Sequence, residues 1–259
     1  MKCLRVNFHV HTHFSYDGYN SFAAIYRNAK SIGLDAVAIT DHDTFEGVLA
    51  FQKWLRENKI NDFQIIPAEE ITCVDGTHII GLFINQHTPT ASPVDVIKSI
   101  KDQNGLVFFP HPMRKDGIFK SQERDMALSE GGFFEIFNAK IDNGFNLEAQ
   151  QQIKNYPHLT PLAGSDAHYN LDVLKCYCEI PFHESIEQSV RELAKQKKLR
   201  VMGKEKYGSQ NYFPVYYKYK EFLRLPQFLR DLAKTIFPRW KNFKERNQVV
   251  HLKEIYSSL

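Results

Sequence analysis

Short apolar runs alternate with segments of helical period from Leu4 to Gln196. Leu4–Val10 predicts a strand. Ser21–Ile32 predicts a helix, with Phe22, Ile25, Tyr26 and Ala29 on one face, Ser21 as its cap and Gly33 as its stop. Ala36–Thr40 predicts a second strand and Thr44–Asn58 a second helix. Phe63–Ile66 and His78–Ile84 read as strands, and Pro93–Gln103 as a helix with Ser92 as cap and Pro93 at its first position. Strands are expected at Leu106–Phe109, Phe133–Phe137, Leu159–Ala163 and Cys176–Ile180, and helices at Asn146–Asn155 and Glu184–Gln196. This alternation predicts an α/β protein whose parallel sheet has helices outside it. About seven units favour a closed or nearly closed barrel, although a doubly wound open sheet gives the same alternation.

The pattern changes near Gly203. Tyr207–Tyr219 is rich in aromatics, and Phe222–Phe237 reads as an amphipathic helix with Leu223, Phe228, Leu232 and Ile236 among its apolar positions. Pro238 closes it, and Arg239, Trp240, Lys241, Phe243 and Lys244 follow. Charge changes there too. From Arg200 onward thirteen Lys and Arg face five Asp and Glu, whereas the rest of the chain holds twenty against twenty-five. The chain therefore divides into a body, residues 1–203, and a basic, helical or irregular C-terminal appendage, residues 204–259. The appendage admits three readings: a cover packed on the body, a nucleic-acid contact with aromatic stacking platforms among Lys and Arg, or a contact with an anionic membrane through Trp240 and the preceding helix.

Composition excludes little else. Hydrophobic residues at 43% and charged residues at 24% are ordinary for a globular domain. No apolar run approaches the ~18 residues of a membrane span. Met1–Val6 carries charge without an apolar core, so a cytoplasmic protein is expected, at most peripheral to a membrane. Cys176 and Cys178, one residue apart, read as a reduced strand pair.

The informative positions are polar. His9 and His11 share one face at the end of the first strand. Asp41-His42-Asp43 follows the second strand and Glu69-Glu70 the third; Asp43 could also cap the helix beginning at Thr44. His78 begins a strand, His111 follows one, Glu135 lies within one, and Asp166 and His168 follow another. In a parallel barrel such positions converge on one rim. So many buried imidazoles and carboxylates would be costly unless cations neutralise them. Mixed His and carboxylate donors suit Zn, Mn or Fe better than Ca or Mg.

Taken together, the motifs carry a resemblance. Phe8–Gly18 resembles the first motif of the PHP (polymerase and histidinol phosphatase) superfamily. Thr40–Thr44 resembles the second, His111-Pro112 the third and Gly164–His168 the fourth. Ala68–Thr72 resembles the segment with the family's bridging glutamate, which falls on Glu70, and His78–Gly81 matches a further family histidine. The motifs keep family order. The resemblance implies a distorted (β/α)7 barrel holding two or three divalent metal ions. One would take His9, His11, Glu70 and Asp166; a second would share Glu70 and add His78 and His111; a third would use Asp17, His42 and His168. His13 is expected to support a ligand, since the family leaves that position variable.

The function expected is that of a metal-dependent phosphoesterase acting on a phosphomonoester or phosphodiester, in a nucleotide, an oligonucleotide or another small phosphorylated compound. A metal-bridging hydroxide would be the nucleophile, with Glu70 fixing the metal spacing and Asp17 in the same machinery. Arg114, just after His111, is placed to grip phosphate with its forked donors, and Lys140 is a second candidate. Two rivals are a non-catalytic, metal-stabilised PHP binding module and an amidohydrolase-like enzyme cleaving C–N bonds. The full ligand set argues against the first, and the lack of a matching lysine on a middle strand against the second.

Overall fold

The computed structural model describes residues 2–206 and 251–259. The aromatic stretch Tyr207–Tyr219, the expected helix Phe222–Phe237 and Trp240 lie outside the described residues.

Among the described residues, ten strands form one sheet: β1 (Cys3–Val10), β2 (Ala36–Ile39), β3 (Gln64–Thr72), β4 (His78–Leu82), β5 (Leu106–Phe109), β6 (Phe133–Asn138), β7 (Thr160–Gly164), β8 (Cys176–Pro181), β9 (Arg200–Gly203) and β10 (Lys253–Ser257). Their order is β10-β9-β8-β1-β2-β3-β4-β5-β6-β7. Six α-helices accompany them: α1 (Phe22–Ser31), α2 (Glu46–Glu57), α3 (Pro93–Asp102), α4 (Arg124–Ser129), α5 (Asn143–Gln152) and α6 (Ile186–Gln196). Ser21, Ser92 and Ser185 cap α1, α3 and α6 by accepting a backbone N–H with their side chains.

The sheet curls until β7 returns to β1. Just past β7, Ala167 bridges Val10 in parallel, and the His11 N–H donates to the Ala167 carbonyl at 2.9 Å. β1 to β7 thus make the expected distorted seven-stranded barrel. Strands β8, β9 and β10 extend from the outer part of β1 as antiparallel neighbours. Both faces of the sheet are covered: the consecutive pairs Phe108-Phe109 on β5 and Phe133-Phe134 on β6, whose side chains point to opposite faces, are buried, as are Phe8 and Phe137. Burying each such ring contributes about 1.5–3 kcal/mol.

Pairing departs from the all-parallel expectation. β1, β2 and β3 are parallel, as are β5, β6 and β7, but β4 runs against both of its neighbours. The cause is local. Only Cys73–Thr77 separates β3 from β4, too short for a crossover helix, and it turns at Gly76, whose φ is +81°. The reversal puts the start of β4 on the rim where the other strands end, opposite the last residue of β3. It also lengthens β3 beyond the expected Phe63–Ile66, because Ala68–Thr72 pair with β4.

Three further elements are absent from the hydrophobic pattern: α4, β9 and β10. Residues 253–257, within the expected appendage, add a strand to the sheet beside β9. Among the described residues, no helix is long and apolar enough to cross a membrane.

A close approach fixes the loop after β2. The buried Asp41 accepts the Thr12 N–H and the Thr12 hydroxyl, clipping the loop after β1 onto it. Gly47, at the start of α2, leaves room for that carboxylate: a Cβ there would lie 1.9 Å from Asp41 Oδ2. Gly47→Ala is therefore expected to cost about 1–3 kcal/mol through overpacking. Equilibrium denaturation would show a lower midpoint at unchanged slope; an unchanged midpoint would refute the clash.

Candidate metal centre

The rim built by the ends of β1, β2, β3, β5 and β7 and the start of β4 brings all nine sequence-predicted ligands together. Glu70 lies at its middle and is fully buried. Its Oε2 lies 3.0 Å from His9 Nε2, 3.2 Å from His11 Nε2 and 3.7 Å from His42 Nε2. Its Oε1 lies 3.0 Å from His78 Nδ1 and 2.9 Å from His111 Nε2. One carboxylate thus divides five imidazoles between its two oxygens. On one flank, Asp166 Oδ1 is 3.3 Å from His11 Nε2 and 3.2 Å from His168 Nδ1. Asp17 Oδ2 is 2.8 Å from His168 Nε2 and 3.8 Å from His42 Nε2.

The backbone is bent to achieve this. His111 has φ +29° and Asp166 φ +49°, left-handed values uncommon for residues with a Cβ. Such strain is characteristic of functional sites.

Charge explains the titration of the cluster. Burial pushes the Glu70 carboxyl up, but His42, His9 and His78 outweigh it and hold it well below the ordinary range. Burial likewise raises Asp17 and Asp166, and each ends well below its ordinary value, Asp17 chiefly through His168 and Asp166 chiefly through Lys140 and His9. Burial would lower His9, His78 and His168, yet the facing carboxylates raise all three, His168 to about 9. His42 is the exception: burial takes it down to about 3, so its imidazole is neutral at pH 7 and the charges that hold Glu70 down there are those of His9 and His78.

This set suits divalent ions better than it suits itself. His9 Nε2 and His11 Nε2 are 3.1 Å apart and both face one oxygen of Glu70. The buried His11 Nδ1 and His42 Nδ1 have no hydrogen-bond partner. Among the described residues, three overlapping groups bring their donor atoms within 4.8 Å of one another: His11, Asp17, His42 and His168; His9, His11 and Glu70; and His42, Glu70 and His78. His11 and His42 thus stand in two groups each, whereas the family allocation uses each once. His111 and Asp166 touch these groups from outside.

The two cationic candidates sit at the edge. Arg114, partly exposed, has Nη2 2.8 Å from Asp116 Oδ2 and Nη1 3.9 Å from Asp166 Oδ2. Lys140 Nζ is 3.0 Å from the His168 ring and 3.4 Å from Asp166 Oδ1.

Several neighbours differ from expectation. His13 is exposed, faces the Asn20 carbonyl and packs on Phe14 and Phe22, so it supports no ligand; its turn points it away from the rim. Asp43 does not cap α2. Its carboxylate accepts the Thr72 N–H and hydroxyl, tying the loop after β2 to β3. Glu69 points away from Glu70, as alternation on a strand requires, and accepts from His87 and the Thr88 N–H. The sequence marks Glu135 among the polar strand positions without assigning it a role, and gives no role to Asn138, Asp116 or Tyr16. Tyr16 stacks on His42 at 5.0 Å and remains half exposed; an aromatic directly before Asp17 was the available signal. Cys176 and Cys178 are free thiols on β8, the expected reduced strand pair, and both are buried.

Known proteins resemble this chain in sequence or in fold. An uncharacterised protein of Methanocaldococcus jannaschii is 32% identical over 170 residues, covering 60% of this chain and 94% of the relative. Among solved structures, Endonuclease Q, in complex with a 27-mer duplex bearing an abasic lesion at the active site, superposes with TM-score 0.58 at 14% identity. The match covers 75% of this chain and only 57% of the endonuclease chain. A protein of Bifidobacterium adolescentis assigned as a metal-dependent phosphoesterase superposes with TM-score 0.52 at 17% identity, over 72% of this chain and 94% of that one. At these identities the two structures establish the barrel alone. The family profile of the PHP domain matches residues 7–213, most of the sequence and every motif around the rim, so the chain belongs to the PHP domain family.

Proposed function

We propose that this chain is a metal-dependent phosphoesterase, hydrolysing a phosphomonoester or phosphodiester of a nucleotide, an oligonucleotide or another small phosphorylated compound. The carrying observation is the division of five imidazoles between the two oxygens of Glu70, with Arg114 and Lys140 beside the same carboxylates. His9, His11, Asp17, His42, Glu70, His78, His111, Asp166 and His168 would hold two or three ions, of Zn, Mn or Fe. Bound there, the ions would supply Lewis-acid polarisation of a phosphoryl group and lower the pKa of water.

The side chains do the rest. Glu70 keeps the two halves of the cluster in register. Arg114 offers forked donors to phosphoryl oxygens at a partly open edge, and Asp116 holds the guanidinium there. Lys140 adds a positive charge on the His168 side, where it also offsets Asp166. Asp17 orients His168 through its Nε2. Nucleotide or oligonucleotide substrates are favoured by the resemblance of Thr40–Gly47 to stand-alone nucleotide phosphoesterases and by the DNA bound to the structurally similar Endonuclease Q.

The test is a panel of aryl phosphates, nucleotides, phosphodiesters and short oligonucleotides with protein of measured metal content. Phosphate or alcohol release that a chelator abolishes is expected, with no ammonia release from amide substrates. Arg114→Ala should lower kcat/KM about 10- to 100-fold, a loss of one charge-assisted contact of 1.5–3 kcal/mol. Metal-loaded protein that cleaves no phosphoester would end the proposal, and ammonia release would favour the amidohydrolase-like reading.

A further inference from the structure

Beneath the cluster lies a buried carboxylate that is itself no member of it. Glu135, on β6, is 1% exposed. Its Oε1 is 3.2 Å from His9 Nδ1. Its Oε2 accepts the His111 N–H at 2.6 Å and the Asn138 Nδ2–H at 3.0 Å. Asn138 Nδ2 also lies 3.3 Å from Asp166 Oδ2. One side chain on β6 is thus tied directly to groups from the ends of β1 and β5, and through Asn138 to Asp166 just past β7. Gly164 confines it: a Cβ there would lie 2.2 Å from His9 Cβ and 2.9 Å from Glu135 Oε1.

We propose that Glu135 is a positioning residue for the metal centre, fixing the tautomer of His9 and the left-handed backbone of His111. The inference rests on the reading that those histidines hold metal. An imidazole that ligates through one nitrogen needs its proton on the other, and a carboxylate accepting that N–H selects the tautomer and the ring orientation. With Nδ1–H donated to Glu135, the His9 Nε2 lone pair faces Glu70 Oε2 and the site. The bond from the His111 N–H to the same carboxylate acts on the residue whose φ is +29°, a conformation that needs outside support.

Glutamine cannot replace this carboxylate, although it has nearly the same shape. With the amide oxygen at the Oε2 position, the NH2 meets His9 Nδ1 and forces that nitrogen to accept. The His9 proton then sits on Nε2, pointing into the site. With the amide reversed, the NH2 confronts two donors, the His111 N–H and Asn138 Nδ2.

Zinc titration of the metal-free full chain tests this. Glu135→Gln is expected to weaken zinc binding about 10- to 100-fold while Glu69→Gln leaves it unchanged. Glu69 is the matched control, a buried carboxylate accepting from a histidine and a backbone N–H away from the site. Long-range proton–nitrogen NMR of the zinc-loaded wild type should place the His9 proton on Nδ1. If Glu135→Gln fails to fold, Glu135→Asp, which keeps the charge one methylene short, should show a loss of about 10-fold. Wild-type zinc affinity in the folded Glu135 variant, or a His9 proton on Nε2 in the loaded wild type, would overturn the inference. A wild type that binds no zinc, or a His9→Ala variant that loses none, would take down the metal reading beneath it.

Discussion

Glu70→Gln is expected to remove most of the bound divalent ion and to lower kcat/KM on any phosphoester the chain hydrolyses by about a thousandfold or more, a loss of ~4 kcal/mol. The geometry sets this scale. Oε2 faces His9, His11 and His42, while Oε1 faces His78 and His111, so the one carboxylate serves both halves of the cluster. An amide keeps the shape but loses the charge. Its NH2 end must also point at one of the two imidazole groups, setting a donor against lone pairs meant for a cation. Glu69→Gln, one residue away, is the internal comparison. Its carboxylate anchors His87 and the Thr88 N–H, so that variant should lose about 1–3 kcal/mol of stability and keep its metal. Metal analysis of purified protein together with kcat/KM decides the matter. Full metal content in Glu70→Gln would show that the shared carboxylate does not hold the ions.

Much of this site was legible before any coordinates, and the reason is physical. A barrel gathers the ends of its strands, so polar residues that repeatedly follow apolar runs identify a rim without any knowledge of the contacts. His9, His42, Glu70, His111 and Asp166 were found in that way. His78 was noted at the start of a strand and matched a motif, but its geometry was hidden. It begins its strand rather than ending it, and reaches the rim because the short Cys73–Thr77 connection forces β4 to run backwards. The role of Glu135 was hidden for a different reason. Inside a strand of Phe and Ile its carboxylate has no local signature, and its partners outside β6, His9 and His111, come from two distant segments. The same holds for β9 and β10, whose short patterns of mixed polarity become strands only because neighbouring strands lend them an edge, β8 to β9 and β9 to β10. Asp43 shows the limit of local rules: its position before a helix signalled a cap, and a strand two loops away won its carboxylate.

Metal-free protein is expected to lose stability between pH 6.5 and 9, the window in which metal binding should strengthen. Asp17, Glu70 and Asp166 are held below their ordinary values, so what they contribute is present above about pH 4 and stays constant through neutrality. His9, His78 and His168 are raised, so their contribution is complete below their unfolded value of about 6.5 and is lost as pH climbs through the folded one. For His168, raised to about 9, that is about 3 kcal/mol. His42 works on the acid side. It stays neutral down to about 3, so the unfolded chain gains a proton below pH 6.5 that the folded chain refuses. The metal-free optimum therefore falls near pH 6.5. Ions and protons compete for the same nitrogens, so raising pH removes the competitor and metal affinity climbs. Denaturant titrations at pH 6.5, 7.5 and 9 should show the metal-free midpoint falling and the gap to the metal-loaded protein widening. Calorimetry in buffers of different ionisation enthalpy should show protons released on metal binding near pH 7. A metal-free midpoint that is flat or rising over this range would mean that the carboxylates do not hold these imidazoles protonated, and the balance of charge drawn here around Glu70 would be wrong.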